Sequence, residues 1–214
     1  MNYFLPALFG LILGHLTKRL INWLGIDDYS IKLNNVFLEI MGASIATWSF
    51  INLNFPEALI FSIIAISLTG ISMVDYFTFE IPIVLIIVGI LTNLLGIFLK
   101  VMTLSAAIWG IFVGAVIPLA IIGVLWIITK RQGMGFGDIQ LGIVLGAWSG
   151  PMSMALTLFG ASVLSLFVWI GVSLLNGFDK DRALPYGPFL SFAGTGVYVG
   201  SFYYPEFFHL LIIH

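Results

Sequence analysis

Two carboxylates stand where this chain could do chemistry. Asp75 directly follows an apolar run, residues 58–74, and Asp138 directly precedes another, residues 139–148. Ionisable groups at or within a membrane boundary are costly to keep there and point to function. Two carboxylates brought close resist double ionisation, so such a pair shares one proton. The charged member can draw a proton from water while the neutral member donates to a carbonyl oxygen, the division of labour of aspartic proteases. Peptide hydrolysis of this kind needs neither metal nor thiol, and the chain has no cysteine.

The approach to Asp138 reads Gly133-Met134-Gly135-Phe136-Gly137. Glycines at alternate positions remove side chains where backbone needs a positive φ or where a substrate chain passes close by. An extended peptide could lie against this segment. Phosphate binding competes poorly, because neither the dinucleotide fingerprint nor the P-loop lysine is present in order and no strand precedes the loop. The plain reading of the glycines is a tight turn between close-packed helices.

The elements that must position these residues follow from composition. Of 214 residues, 60% are hydrophobic and 8% charged, against about 25% charged in soluble domains. Mean hydropathy is +1.12. This is an all-α, polytopic integral membrane helix bundle by expectation, because the apolar runs are continuous rather than alternating with period two. The runs cover residues 3–24, 36–53, 58–74, 81–99, 104–128, 139–148, 152–175 and 188–213. About eight transmembrane helices result, or seven if 139–148 does not cross. No linker or repeat divides 1–214, which reads as a single transmembrane domain. The net charge of −2 includes no basic surplus for nucleic acid.

With the amino terminus outside and eight crossings, Lys18, Arg19, Lys32, Lys130, Arg131, Lys180 and Arg182 fall on the cytoplasmic side and only Lys100 outside. That asymmetry satisfies the positive-inside rule. It also puts Asp75 and Asp138 together at the cytoplasmic surface. Lys18 and Arg19 follow the first run instead of preceding it, the reverse of a cleavable signal peptide, so that segment is expected to stay in the mature protein.

On three motifs the chain resembles the type IV prepilin peptidases, polytopic aspartic peptidases of the GxGD type. Asp75 is followed by Ile81-Pro82. Gly135-Phe136-Gly137-Asp138 runs into Ile139-Gln140-Leu141 and then Gly146-Ala147-Trp148. Pro185-Tyr186-Gly187-Pro188-Phe189-Leu190 comes last. The resemblance, from about residue 70 to 194, implies that Asp75 and Asp138 are the catalytic pair. It implies as partners prepilin or pseudopilin precursors in a lipid bilayer, cleaved at the cytoplasmic face of a bacterial inner membrane. Gly135, Phe136, Gly137, Pro185, Gly187 and Pro188 are then candidate substrate contacts. No cofactor is implied for proteolysis; S-adenosylmethionine enters if the family's N-methyltransferase activity is retained. The family's cysteine-rich cytoplasmic insert after the first span is replaced by a short loop, residues 25–35, its lysine after the second aspartate is Gln140, and Phe77 and Glu80 stand where basic residues are common.

Plainer readings stand beside these. Asp138 suits a helix cap, whereas Asp75 ends an inward-running helix at its unfavourable dipole end. Glu80 reads as a cap or dipole partner at the entrance to the fourth span. Pro185 to Pro188 reads equally as a turn opening the last helix. Lys18 and Arg19 read as snorkelling, and Glu39, Glu57 and Glu206 as solvated boundary residues. His15 reads as packed or interfacial, and it, His209 and His214 form no metal site. The alternative function is a proton- or cation-coupled small transporter using the two carboxylates, although such groups usually lie near the midplane on broken helices. An inactive relative acting as an assembly factor is a third.

Overall fold

The computed structural model describes residues 3–32, 34–129, 135–179 and 182–207. Lys130, Arg131, Gly133, Met134, Lys180, His209 and His214 lie outside the described residues. Among the described residues the regular elements are helical: α1 (Phe4–Leu24), α2 (Phe37–Asn52), α3 (Phe55–Thr78), α4 (Ile83–Phe98), α5 (Leu104–Ile111), α6 (Ile117–Thr129), α7 (Phe136–Asn176) and α8 (Gly187–Tyr203). A π-helical turn, Phe112–Val116, makes α5 and α6 one continuous rod. Among the described residues four stretches are long and apolar enough to cross a membrane, namely α1, α3, Leu104–Ile128 and α7, and α4 is a shorter apolar helix. The protein is thus an all-helical, polytopic membrane protein. Its chain forms two compact units, Met1–Leu104 and Ser105–His214.

In the first unit α3 is the central helix. Ile60, Phe61, Ile64, Ile66, Leu68 and Ile71 are buried along its length. Lipid tails are as apolar as leucine, so helix association rests on close packing more than on a hydrophobic driving force. Helices α1 and α2 meet through glycine: a Cβ on Gly10 would fall on the Gly42 carbonyl, and one on Gly14 on the Leu38 carbonyl. As residue numbers rise on α1 they fall on α2, so the pair is antiparallel. Pro56 in the first turn of α3 fits a position whose amide has no intrahelical partner.

Lys18 does not snorkel to water as expected, and Glu39 is not the solvated boundary residue its position suggested. Lys18 is 3% exposed. Its ammonium pairs with Glu39 Oε1 and donates to the Asn35 carbonyl at 3.0 Å. His15 Nδ1 lies 3.2 Å from the same carboxylate oxygen. The physical reason is the short 25–35 connection, which returns α2 alongside α1 and covers the lysine before it can reach water. Asn22 braces that connection, its side chain donating to the Ile31 carbonyl at 3.0 Å and accepting from the Ile31 amide at 2.7 Å.

The second unit is organised by a break in α7. Gly150 has φ +77 and ψ 175, and Pro151 follows it. A Cβ on Gly194 of α8 would lie 2.8 Å from a Leu145 methyl and 3.4 Å from the Thr157 methyl. In a straight helix those two residues stand about 18 Å apart. The halves of α7 on either side of Gly150 therefore fold back on each other, with α8 packed against both. This division falls between the sixth and seventh apolar runs, and the first half is the short segment of residues 139–148. Trp148 stacks on Tyr198 at 4.6 Å, which together with Leu145 and Gly194 makes α8 parallel to the first half. Against that half also lies the α5 rod. A Cβ on Gly142 would fall on the Gly114 carbonyl, and one on Gly110 on the Gly146 carbonyl.

Candidate functional site

Asp75 is placed by the way α3 ends. The residue before a proline is driven out of helical conformation, so Ile81-Pro82 forces a stop. Phe79 turns left-handed at φ +58 and its amide donates to the Asp75 carbonyl at 2.9 Å. Asp75 thus sits in the last turn of α3 rather than beyond it, and it is 4% exposed. Tyr76, Phe77 and Phe79 around it are exposed, and Tyr29 of the 25–35 connection stacks on Phe77 at 5.2 Å. Burial pushes the Tyr29 phenol up from its ordinary value. Glu80 does not act as the expected cap: it precedes Pro82, the N-cap of α4, whose first turn holds no acidic residue. Its amide instead donates to Thr78 Oγ1 at 3.2 Å.

Asp138 sits at the third position of α7 and is 8% exposed. Its Oδ2 accepts from the Gly135 amide at 3.2 Å. The bland reading as a helix-terminal acid is therefore also true, and the positive end of the helix dipole favours a carboxylate there. Among the described residues of the glycine segment, Gly135 keeps extended backbone, while Phe136 and Gly137 already belong to the first turn. Phe136 is exposed and Gly137 half-buried. A Cβ on Gly135 would stand 3.2 Å from Asp138 Oδ2, so a bare backbone at that position leaves the carboxylate room. From the Gly150 break to Asp138 is about 18 Å of helix, short of the ~30 Å hydrocarbon core. Other segments of the protein bury this carboxylate.

Pro185, Gly187 and Pro188 frame the start of α8. Gly187 is its buried first residue, Pro188 occupies the first turn and Pro185 is half-buried before it, so the turn reading of this motif holds. Between them stands Tyr186, at the N-cap of α8. Its hydroxyl lies 3.1 Å from Ser162 Oγ on the second half of α7. Burial pushes its phenol up, and the Asp138 charge acts in the same direction against the lowering effect of the Ser162 hydrogen bond. The second unit thus brings Asp138, Gly135, Ser162 and Tyr186 to one end of the α7–α8 cluster, and Asp75 lies in the first unit. Only the back-folding of α7 brings Ser162 there, so no spacing rule could have found it; the hydroxyl on an aromatic between two prolines was the available signal. Among the described residues no three His, Asp or Glu side chains gather as metal ligands would.

A profile of the type IV leader peptidase family matches residues 59–170, which include both aspartates. The chain is similar to proteins named prepilin leader peptidase/N-methyltransferase. The one from Aeromonas hydrophila is 34% identical over 50% of this chain and 36% of its own length. That from Pseudomonas putida is 30% identical over 64% of this chain and 48% of its own. The Legionella pneumophila protein is 27% identical over 78% and 59% respectively. The chain therefore spans from about a third to somewhat over half of these relatives' length. No solved structure matches it.

Proposed function

Because the chain belongs to the type IV leader peptidase family, we propose that it is a membrane aspartic endopeptidase whose catalytic pair is Asp75 and Asp138. The two units then make up one peptidase domain, each contributing one carboxylate. Its substrates are type IV prepilin or pseudopilin precursors, whose leader it removes at the cytoplasmic face of a bacterial inner membrane, with the amino terminus of the enzyme outside. The reading is carried by one observation: within the matched segment two carboxylates are kept almost wholly buried, at 4% and 8% exposure, in terminal turns of helices. Burying a carboxylate costs several kcal/mol before pairing and hydrogen bonding offset it, and such groups cluster at functional sites. Position also favours hydrolysis over coupled transport, since both acids lie at helix ends.

In the proposed reaction the substrate's apolar helix docks beside the bundle and its scissile segment extends past Gly135, Phe136 and Gly137, with Pro185, Gly187 and Pro188 as the second wall. One carboxylate takes a proton from water while the other, protonated, donates to the scissile carbonyl oxygen. Gly135 holds Asp138 in orientation through its amide. The relatives' name adds N-methyltransferase, which would make S-adenosylmethionine a co-substrate acting after cleavage.

The test is co-expression with a type IV prepilin, followed by mass measurement of the pilin's new amino terminus. Wild type is expected to shorten the precursor by its leader. Asp75→Asn and Asp138→Asn are expected to leave it full length while still inserting in the membrane. Leader removal by either variant would refute the dyad, and the same spectrum reports a methyl group as an added 14 Da, about the mass of one CH₂.

A further inference from the structure

The hydroxyl of Tyr186 has a defined polarity. Ser162 Oγ donates to the Leu158 carbonyl at 2.8 Å and also lies 3.1 Å from Tyr186 Oη. A hydroxyl carries one proton and a carbonyl can only accept, so both bonds form only if the phenol donates to the serine. The proton of Tyr186 is thereby committed, and its oxygen is left as an acceptor.

Helix geometry sets the location of that acceptor. Leu145, Thr157 and Gly194 meet at one level of the second unit. From there, at 1.5 Å per residue, Asp138 is about 10 Å along the first half of α7, Ser162 about 8 Å along the second half and Tyr186 about 12 Å back along α8. Because the halves of α7 are antiparallel and α8 parallels the first, all three displacements run the same way. Asp138, Ser162 and Tyr186 therefore occupy one layer. The Asp138 charge acts on the Tyr186 phenol, as that proximity requires.

We propose that Tyr186 is a further catalytic residue, whose hydroxyl oxygen accepts the second hydrogen of the hydrolytic water while Asp138 takes the first. The inference rests on Asp138 being a member of the catalytic pair. A water molecule that must attack a carbonyl has two hydrogens to place; with one directed at Asp138 and one at Tyr186, its lone pair is aimed at the carbonyl carbon. As the O–C bond forms, one water proton passes to the Asp138 carboxylate. The carbonyl π pair moves to its oxygen, which takes the proton of the paired carboxyl. Collapse re-forms the carbonyl and breaks the C–N bond. The proton on Asp138 goes to the leaving nitrogen, and the paired carboxylate recovers a proton from the hydroxyl that becomes the carbonyl. Tyr186 keeps its own proton throughout, held by Ser162.

The experiment uses the full chain in detergent micelles and a synthetic peptide comprising the leader and first 25 or so residues of a type IV prepilin, a length that forms about one membrane-spanning helix. Kinetics are measured between about pH 5 and 9, below the range in which a tyrosine titrates. Tyr186→Phe is expected to lower kcat about tenfold, the worth of one hydrogen bond, with KM within about twofold, and by the same factor at every pH. A uniform factor means that the hydroxyl positions water rather than exchanging protons, since proton exchange would make the factor vary with pH. Ser162→Ala, at an exposed position, releases the phenol proton and should lower kcat by a smaller factor, which Ser162→Thr restores.

Full activity of Tyr186→Phe alongside an inactive Asp138→Asn would overturn this inference and leave the dyad standing. Activity in Asp138→Asn would overturn both. A rise in KM with kcat unchanged would make Tyr186 a binding residue and also refute the proposal. Thermal unfolding is measured in parallel; should Tyr186→Phe fail to fold, an unchanged kcat in Ser162→Ala refutes it instead.

Discussion

Asp138 is held by a helix crossing that tolerates no side chain, so a single methyl placed in that crossing should be felt at the carboxylate. In Gly142→Ala the new Cβ would fall on the carbonyl oxygen of Gly114 and 2.9 Å from its carbon. Carbon–carbon contact is favourable at about 3.5–4.0 Å, so the α5 rod and the first half of α7 must separate by roughly 1 Å. Such overpacking costs about 1–3 kcal/mol, partly offset by the roughly 1 kcal/mol that alanine gains over glycine inside a helix. Net destabilisation should therefore be modest, about 1 kcal/mol, and the protein should fold. Asp138 lies one helical turn before Gly142, however, and moves with it. A displacement near 1 Å at a catalytic group is worth about a hundredfold in rate. The assay is prepilin peptide cleavage beside thermal unfolding, in detergent. Gly123→Ala is the internal control, because nothing lies within 4 Å of its added Cβ; it should raise stability by up to about 1 kcal/mol and leave kcat alone. If Gly142→Ala cleaves like wild type, close approach at this crossing does not position Asp138 and the reasoning fails.

Two further outcomes bear on the first unit. Lys18→Met leaves the half-buried Glu39 with His15 alone and should cost about 1–3 kcal/mol, whereas Lys18→Met combined with Glu39→Gln should recover most of that, read as unfolding midpoints in denaturant. Equal loss in the single and double variants would mean that the pair matters through packing alone. Tyr29 titrates at higher pH in the folded state than its ordinary 10.0 because burial opposes the phenolate. A raised folded value means that this contribution to stability is fully present below pH 10 and is lost as pH rises past it. Tyr29→Phe should accordingly flatten the alkaline fall in stability, and an unaltered slope would argue against burial as the cause.

Much of this architecture was legible before any coordinates, for a physical reason. A membrane span must satisfy its backbone internally, so continuous apolar runs read directly as helices, and the gap between residues 139–148 and 152–175 is where α7 turns back at Gly150. Asp75 and Asp138 were visible because a charge beside such a run is expensive. Local chemistry also foretold the start of the last helix, where Pro188 sits in the first turn. Interactions between residues far apart in the chain were not legible. Lys18 looked free to snorkel until the return of α2 enclosed it with Glu39, and nothing in the spacing of Ser162 and Tyr186 ties either to Asp138. Sequence periodicity reports which residues share a face of one helix, whereas the hand and angle at which chains fold back depend on close contacts such as those at Gly114, Gly142 and Gly194. The amino-acid order thus determined the elements and the acids at their ends; tertiary packing alone decided that Ser162 meets Tyr186 and that Lys18 is buried against Glu39.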